Sequence, residues 1–214
     1  MFRDVFVAII YGISCKFTPL KGIEITFGGR LRNLALTLHK TVVLVGMMGA
    51  GKTAVGTALA RRIGVPFLDS DEEIVKASNM SIAEIFERDG EPFFRRKEAQ
   101  VITRLLETER CILSTGGGAF MAESNRLAIK EKGVSVWLNA DLDLLWNRVK
   151  HKDTRPLLRT PDPRATLTEL YEARVPIYAQ AGLQVKALAA YSIEEMVDEV
   201  VRALKTRPDI LEDI

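Results

Sequence analysis

GMMGAGKT, residues 46–53, fills every fixed position of the pattern G-x-x-x-x-G-K-S/T. An apolar, β-branched run, Thr41–Val45, precedes it, and a helical pattern from Ala54 to Ile63 follows it. Glycines allow a backbone to wrap around phosphate groups with its N–H groups pointing inward, and a helix N-terminus adds partial positive charge. The segment therefore predicts a phosphate-binding loop between a strand and a helix.

Within this loop, Lys52 is expected to contact the outer phosphates of a nucleoside triphosphate and Thr53 to ligate Mg²⁺. A glycine-rich turn arising by chance is the alternative, but the eight-residue match and both flanking patterns disfavour it. The residues expected to contact the nucleotide here are Gly49, Ala50, Gly51, Lys52, Thr53 and Ala54.

Strand-like and helical patterns alternate from Thr41 onward, which predicts a three-layer α/β fold with a parallel sheet flanked by helices. The predicted strands cover residues 41–45, 65–68, 111–114, 134–138 and 183–187. The predicted helices cover residues 54–63, 81–89, 92–107, 123–132, 141–150 and 166–179, and a last helix opens at Ser192. The polar, proline-containing segment from His151 to Pro163 is predicted to be a loop.

The overall composition is that of an ordinary globular protein. The chain has 214 residues, with 30 basic and 28 acidic side chains, so its charge does not call for nucleic acid or an anionic membrane as partner. Two distant cysteines form no disulfide framework, which favours a reducing, cytoplasmic location. No apolar run reaches the roughly 20 residues that a membrane-spanning helix needs.

The first 38 residues are interpreted separately. The apolar run Val5–Ile13 imitates a signal peptide, but Asp4 interrupts the basic region and no small-x-small cleavage site follows. We interpret residues 1–38 as an irregular extension or the product of a start codon placed too far upstream. The remaining division predicts one domain over residues 39–207 and a C-terminal tail over residues 208–214.

Two features narrow the class of nucleotide-binding protein. The guanine-reading pattern N-K-x-D is missing from the sequence, which disfavours a GTPase, and no conventional Walker-B strand ends in Asp. Instead, Asp69-Ser70-Asp71 follows the second predicted strand. It therefore lies at the carboxyl end of that strand, where open α/β sheets bind ligands. The alternative is that Ser70 or Asp71 is the N-cap of a helix, and the two readings are compatible.

Other segments remain ambiguous when they are taken singly. Arg95-Arg96-Lys97 reads equally well as a solvated helix face, and Arg174 as a surface charge. The glycine triplet Gly116–Gly118 follows a buried strand, where it could admit a ligand close to the backbone or simply form a turn.

As a set, these motifs resemble those of shikimate kinases in order and spacing, from about Thr41 into the C-terminal helix. The segments that carry the resemblance are residues 46–53, 69–71, 94–98, 115–118, 155–158 and Arg174. The N-terminal extension has no counterpart in the family pattern, and the lid differs in detail. The resemblance implies a P-loop NTPase fold like that of nucleoside monophosphate kinases, with a lid loop. It also implies transfer of a phosphoryl group from MgATP to the 3-hydroxyl of shikimate.

The resemblance assigns roles to individual residues. It places Asp69 near Mg²⁺ and Asp71 on the hydroxyls of the acceptor ring, where Asp71 is the candidate to orient or deprotonate the attacking hydroxyl. Arg95 and Arg174 are expected to hold the substrate carboxylate, since a guanidinium fork matches a carboxylate. The glycine triplet is expected to contact shikimate through Gly116, Gly117 and Gly118.

The substrate-binding region is then expected at about residues 70–98, and the lid at about residues 150–163. Within the lid, Arg155 is expected to reach the phosphates and stabilise charge in the transition state. Arg148, just before it, matches the family position that stacks on adenine.

We expect a monomer. Two rival readings remain: another small-acceptor kinase, such as a gluconate or nucleoside monophosphate kinase, and a non-catalytic nucleotide-binding protein.

Overall fold

The fold was analysed in a computed structural model that describes residues 36–151 and 156–213. Predictions for residues 1–35, and the role predicted for Arg155, lie outside the described residues. The strands are β1 (Leu36–Leu38), β2 (Thr41–Val45), β3 (Phe67–Asp69), β4 (Ile112–Ser114), β5 (Gly133–Ala140), β6 (Leu183–Ala187) and β7 (Leu211–Asp213). The helices are α1 (Lys52–Ile63), α2 (Ser70–Ser78), α3 (Ile82–Thr108), α4 (Glu123–Lys132), α5 (Leu142–Val149), α6 (Pro163–Tyr178) and α7 (Ile193–Leu204).

The central sheet has five parallel strands in the order β3-β4-β2-β5-β6, and helices flank it. Strand β2 lies in the middle, with Val43 opposite Leu113 of β4 and Ser135 of β5. All five residues of β2 are buried, because a central parallel strand is covered on both faces. This confirms the predicted α/β fold and puts the residue 46–53 loop at the carboxyl end of the central strand.

Local signals in the sequence set several helix ends. At Ser81 and Ser192, the hydroxyl accepts from the backbone N–H three residues on, and the glutamate there bonds back to the serine N–H. The predicted break at Asp89-Gly90 is present as a kink inside α3, where Gly90 has φ 76°.

Short 3₁₀ helices cover Ala119–Met121 and Pro156–Leu158. No helix in residues 36–151 and 156–213 is long and apolar enough to cross a membrane.

The helix cap after β3 differs from the prediction. Residue Asp69, rather than Ser70 or Asp71, is the N-cap of α2, and its Oδ1 accepts a hydrogen bond from the Asp71 N–H at 2.9 Å. The helix is capped one or two residues earlier than expected, because β3 passes directly into it. Both aspartates therefore have a fixed backbone at the carboxyl end of the sheet.

The chain ends also differ from the prediction. Strands β1 and β7 form an antiparallel ribbon, with Leu36 opposite Asp213 and Leu38 opposite Leu211. Leu211 is buried, so the segment taken as a tail from residue 208 contributes a strand to the folded unit. Three-residue strands are too short to give a readable hydrophobic period, which explains why the sequence did not reveal this ribbon.

Candidate active site

The phosphate-binding loop needs glycine at positions where its backbone is left-handed. Gly46, Gly49 and Gly51 have φ values of 140°, 82° and 99°. A Cβ at position 49 would also lie 2.8 Å from Val149 Cγ1, and one at position 46 would lie 3.0 Å from the Leu138 carbonyl oxygen. The glycines therefore permit both the backbone turn and the close packing of the loop on α5 and β5.

Lys52 begins α1 and extends back over the loop. Its ammonium donates to the Gly46 carbonyl at 2.8 Å and to the Met47 carbonyl at 3.1 Å. Thr53 and Ala54 follow in the first turn of α1, whose N-terminus favours bound anions. This arrangement is suited to a phosphate chain, whose oxygens can replace the carbonyls as partners of Lys52.

A cavity of about 520 Å³ lies at the carboxyl end of the sheet. Its lining includes Gly49, Ala50, Gly51, Lys52, Thr53, Ala54, Asp69, Asp71, Gly116, Gly117 and Arg148. The structure thus brings the residues predicted for the nucleotide and the metal together with part of the predicted acceptor site. Its volume is in the range of small-molecule sites, which is roughly 300–1,000 Å³.

Arg148 is held against the phosphate-binding loop by hydrogen bonds to backbone carbonyls of that loop. Its Nη1 donates to the Gly49 carbonyl at 3.2 Å and lies 3.4 Å from the Ala50 carbonyl. Tyr191 and Ile193, which sequence reasoning missed, line the same cavity, and Ile193 is 45% exposed. The available signal in the sequence was their position soon after β6, because the carboxyl ends of parallel strands meet at the ligand site.

The side chain of Asp71 is partly buried and lines the cavity. Its Oδ1 accepts no hydrogen bond from any residue in the described part of the chain. Burial and the nearby Asp69 raise the pKa of Asp71, while Lys52 and Arg95 lower it. An ionised Asp71 is consequently a stronger base than an ordinary carboxylate, which suits a group that accepts a hydrogen bond or proton from a hydroxyl.

Arg95 is already paired with two carboxylates. Its Nη1 donates to Glu98 Oε2 at 2.9 Å, and its Nη2 donates to Glu91 Oε1 at 3.0 Å. Sequence reasoning gave Glu98 no role, although it lies three residues after Arg95 on the same helix face, which was the available signal. Burial is the main cause that raises the pKa of Glu98, and its Oε1 has no hydrogen-bond partner among the described side chains and backbone.

The glycine triplet lies against these charged groups. A Cβ at position 116 would be 3.1 Å from Asp71 Oδ1 and 3.4 Å from Glu98 Oε1, and one at position 118 would be 2.8 Å from Arg95 Nη1. A Cβ at position 117 would be 3.4 Å from Arg174 Nη1 and 3.9 Å from the Gly46 carbonyl oxygen. The predicted acceptor residues, Arg174 included, therefore meet beside the phosphate-binding loop.

Two oxygen groups in the cavity fit a magnesium ion. Thr53 and Asp69 both line it, and one Asp69 oxygen is occupied by the helix cap. Magnesium commonly binds proteins through one or two side chains together with phosphate oxygens and water. Among residues 36–151 and 156–213 no group of three or more His, Cys, Asp or Glu side chains could hold a metal alone. The donor set fits an ion shared with a nucleotide.

These features define a class: a P-loop kinase that transfers a phosphoryl group to a small acceptor. The shikimate kinase family model matches residues 48–205. The chain belongs to the shikimate kinase family.

Sequence relatives and a solved structure agree with this family. A shikimate kinase of Ruegeria pomeroyi is 71% identical over 178 residues, which cover 83% of this chain and 91% of the relative. One of Cereibacter sphaeroides is 66% identical over 181 residues, covering 85% and 90%. A structure of the Acinetobacter baumannii shikimate kinase in complex with shikimate is 34% identical, with a TM-score of 0.72 and coverage of 78% of this chain and 93% of that one.

Proposed function

We propose that this protein transfers the γ-phosphoryl group of ATP to the 3-hydroxyl of shikimate, giving 3-phosphoshikimate. The observation that carries the proposal is the shared site: a phosphate-binding loop and a carboxylate–arginine–glycine cluster meet in one place. Family membership supplies the identity of the acceptor.

On the nucleotide side, Lys52 neutralises charge on the outer phosphates, and the loop amides from Gly49 to Ala54 hold the phosphate chain. Arg148 contacts the adenine base. Thr53 and Asp69 would hold a magnesium ion, which would neutralise phosphate charge when bound. In the lid, at residues 150–163, Arg155 completes the charge stabilisation when the lid closes.

On the acceptor side, Arg95 and Arg174 grip the carboxylate, and Gly116, Gly117 and Gly118 let the ring approach the backbone. Asp71 accepts a hydrogen bond from the attacking hydroxyl and holds it in line with the γ-phosphate. Arg95 can turn from Glu91, which is exposed, toward the substrate while it keeps its bond to buried Glu98.

The test is an ADP-release assay with a panel of acceptors: shikimate, gluconate and a nucleoside monophosphate. Turnover that depends on shikimate supports the proposal. Preference for gluconate or the monophosphate would point to a related kinase, and binding without turnover on any acceptor would point to a nucleotide sensor. Sedimentation of the purified chain tests the proposed monomer, and a variant lacking residues 1–35 tests whether the extension is dispensable.

A further inference from the structure

Tyr178 lies at the C-terminal end of α6 with only 1% of its surface exposed. Its ring stacks on Trp137 of β5, with centroids 6.2 Å apart, and on Phe120 of the 3₁₀ helix after the glycine triplet, with centroids 6.3 Å apart. This packing fixes the ring, and therefore the hydroxyl, in one position.

The hydroxyl bonds to the middle carbonyl of the glycine triplet. The Gly116 and Gly118 carbonyls accept from the backbone N–H groups of Ala119 and Met121, at 3.1 Å and 3.0 Å. The Gly117 carbonyl instead accepts from the Tyr178 hydroxyl at 2.5 Å and from Arg174 Nη1 at 3.4 Å. Side chains thus set the orientation of this one peptide, which glycine on both sides would otherwise leave free to rotate.

This orientation determines which way the next amide points. In a trans peptide the C=O and N–H groups point in opposite directions, so the Gly118 N–H is directed away from Tyr178. Gly118 packs against the Arg95 guanidinium, and Gly117 faces Arg174. The peptide therefore lies between the two arginines assigned to the acceptor carboxylate.

We propose that Tyr178 is a positioning residue for the acceptor. Its hydroxyl fixes the Gly117–Gly118 peptide with the Gly118 N–H toward the acceptor, between the two arginines assigned to the acceptor carboxylate. This inference rests on the proposed function and deepens it.

A buried tyrosine that bonds a carbonyl commonly does no more than satisfy its own hydroxyl. Here the bonded carbonyl belongs to the glycine triplet assigned to the acceptor, and Gly117 also lies against the Gly46 carbonyl of the phosphate-binding loop. Burial raises the pKa of Tyr178 to about 12, so the hydroxyl stays a donor throughout the pH range of an assay.

Tyr178→Phe tests the inference because it removes the hydroxyl and keeps the ring packing. We expect the KM for shikimate to rise about tenfold, as for loss of one hydrogen bond, and the KM for ATP to change less than about twofold. The matched control is Tyr171→Phe, a partly buried tyrosine on the same helix, which should behave like the wild type. Thermal unfolding of both variants reports any general loss of structure.

An unchanged acceptor KM in Tyr178→Phe, or equal changes in both KM values, would overturn the inference. Should that variant fail to fold, Phe120→Leu decides, because this change loosens the packing of the Tyr178 ring but keeps its hydroxyl. A rise in the acceptor KM smaller than tenfold then supports the inference, and an unchanged acceptor KM overturns it. Wild-type turnover separates the two proposals, since a wild type inactive on shikimate refutes the proposed function itself.

Discussion

Glu98 is paired with Arg95 beside the proposed acceptor site: the Glu98 side chain is 1% exposed, the Arg95 side chain is 35% exposed, and Arg95 Nη1 lies 2.9 Å from Glu98 Oε2. A buried carboxylate is costly unless it is paired, so neither residue can be changed without affecting the other. The pair is better explained by positioning of the arginine than by a contribution to stability.

Replacing Glu98 by Gln should change how stability depends on pH. Burial raises the pKa of Glu98 above its ordinary 4.5, so in the window just above pH 4.5 the native state binds more protons than the unfolded state. The free energy of unfolding of the wild type should therefore fall as pH rises through this window. Urea unfolding at a series of pH values should show a shallower fall in Glu98→Gln.

Some slope should remain in that variant, because the pKa of Asp71 is raised in the same direction. The exposed residue Glu123 provides the control, as Glu123→Gln should keep the wild-type slope. Identical slopes in the wild type and in Glu98→Gln would contradict the assignment of a buried carboxylate with a raised pKa.

Replacing Arg95 by Ala should weaken binding of the acceptor selectively. Loss of a charged hydrogen-bond donor to the carboxylate should raise the KM for shikimate by about 10- to 100-fold, with a much smaller effect on the KM for ATP. The adjacent Arg96 is exposed and packs over Phe93, so Arg96→Ala is the matched control. Steady-state kinetics decide, and equal effects on both substrates would remove Arg95 from the acceptor site.

The sequence predicted well those features that a local pattern encodes. β2 was readable because a central strand needs five consecutive apolar or β-branched residues, and the loop after it because phosphate binding needs glycines at fixed spacing. The capping boxes at Ser81 and Ser192 were readable for the same reason. Each of these depends on neighbours within a few residues.

Features that depend on distant contacts were not predictable. The spacing of Glu98 from Arg95 indicates a pair on one helix face, but nothing local shows that Glu98 is buried against the glycine triplet. Tyr178 reads as an ordinary helical aromatic, since its bond partner lies 61 residues away. Arg95 and Arg174 were selected only through the family resemblance, and the structure then brought both beside the triplet.

Replacing Lys52 by Met should abolish turnover and leave the fold intact. The ammonium lies over the phosphate-binding loop, so the methionine loses charge stabilisation without leaving a cavity. We expect kcat to fall by at least about 100-fold, with thermal unfolding nearly unchanged. Lys97→Met, at a partly buried lysine of α3 that does not line the cavity, serves as the control. A Lys52→Met enzyme with near-normal kcat would refute the role given to this lysine.

Replacing Gly49 by Ala should impair nucleotide binding, and Gly64 offers a matched control. Both glycines have φ 82°, so alanine at either position adds a similar backbone strain of about 1 kcal/mol. Only at position 49 would the new Cβ clash, at 2.8 Å from Val149, whereas nothing lies within 4 Å at position 64. The KM for ATP should rise in Gly49→Ala alone. A similar rise in Gly64→Ala would show that general destabilisation is the cause.

Replacing Leu211 by Ala tests whether the terminal ribbon stabilises the domain without serving the site. Leu211 is 1% exposed and pairs with Leu38, so the change should lower the free energy of unfolding by about 2–4 kcal/mol. The adjacent Glu212 is exposed, and its Oε2 lies 3.4 Å from His39 Nε2, so Glu212→Ala should cost less than about 1 kcal/mol. Both KM values should stay at the wild-type level in each variant. An unchanged stability in Leu211→Ala would mean that the ribbon is open in solution. A changed KM would mean that the ribbon supports the carboxyl end of the sheet, where the proposed substrate site lies.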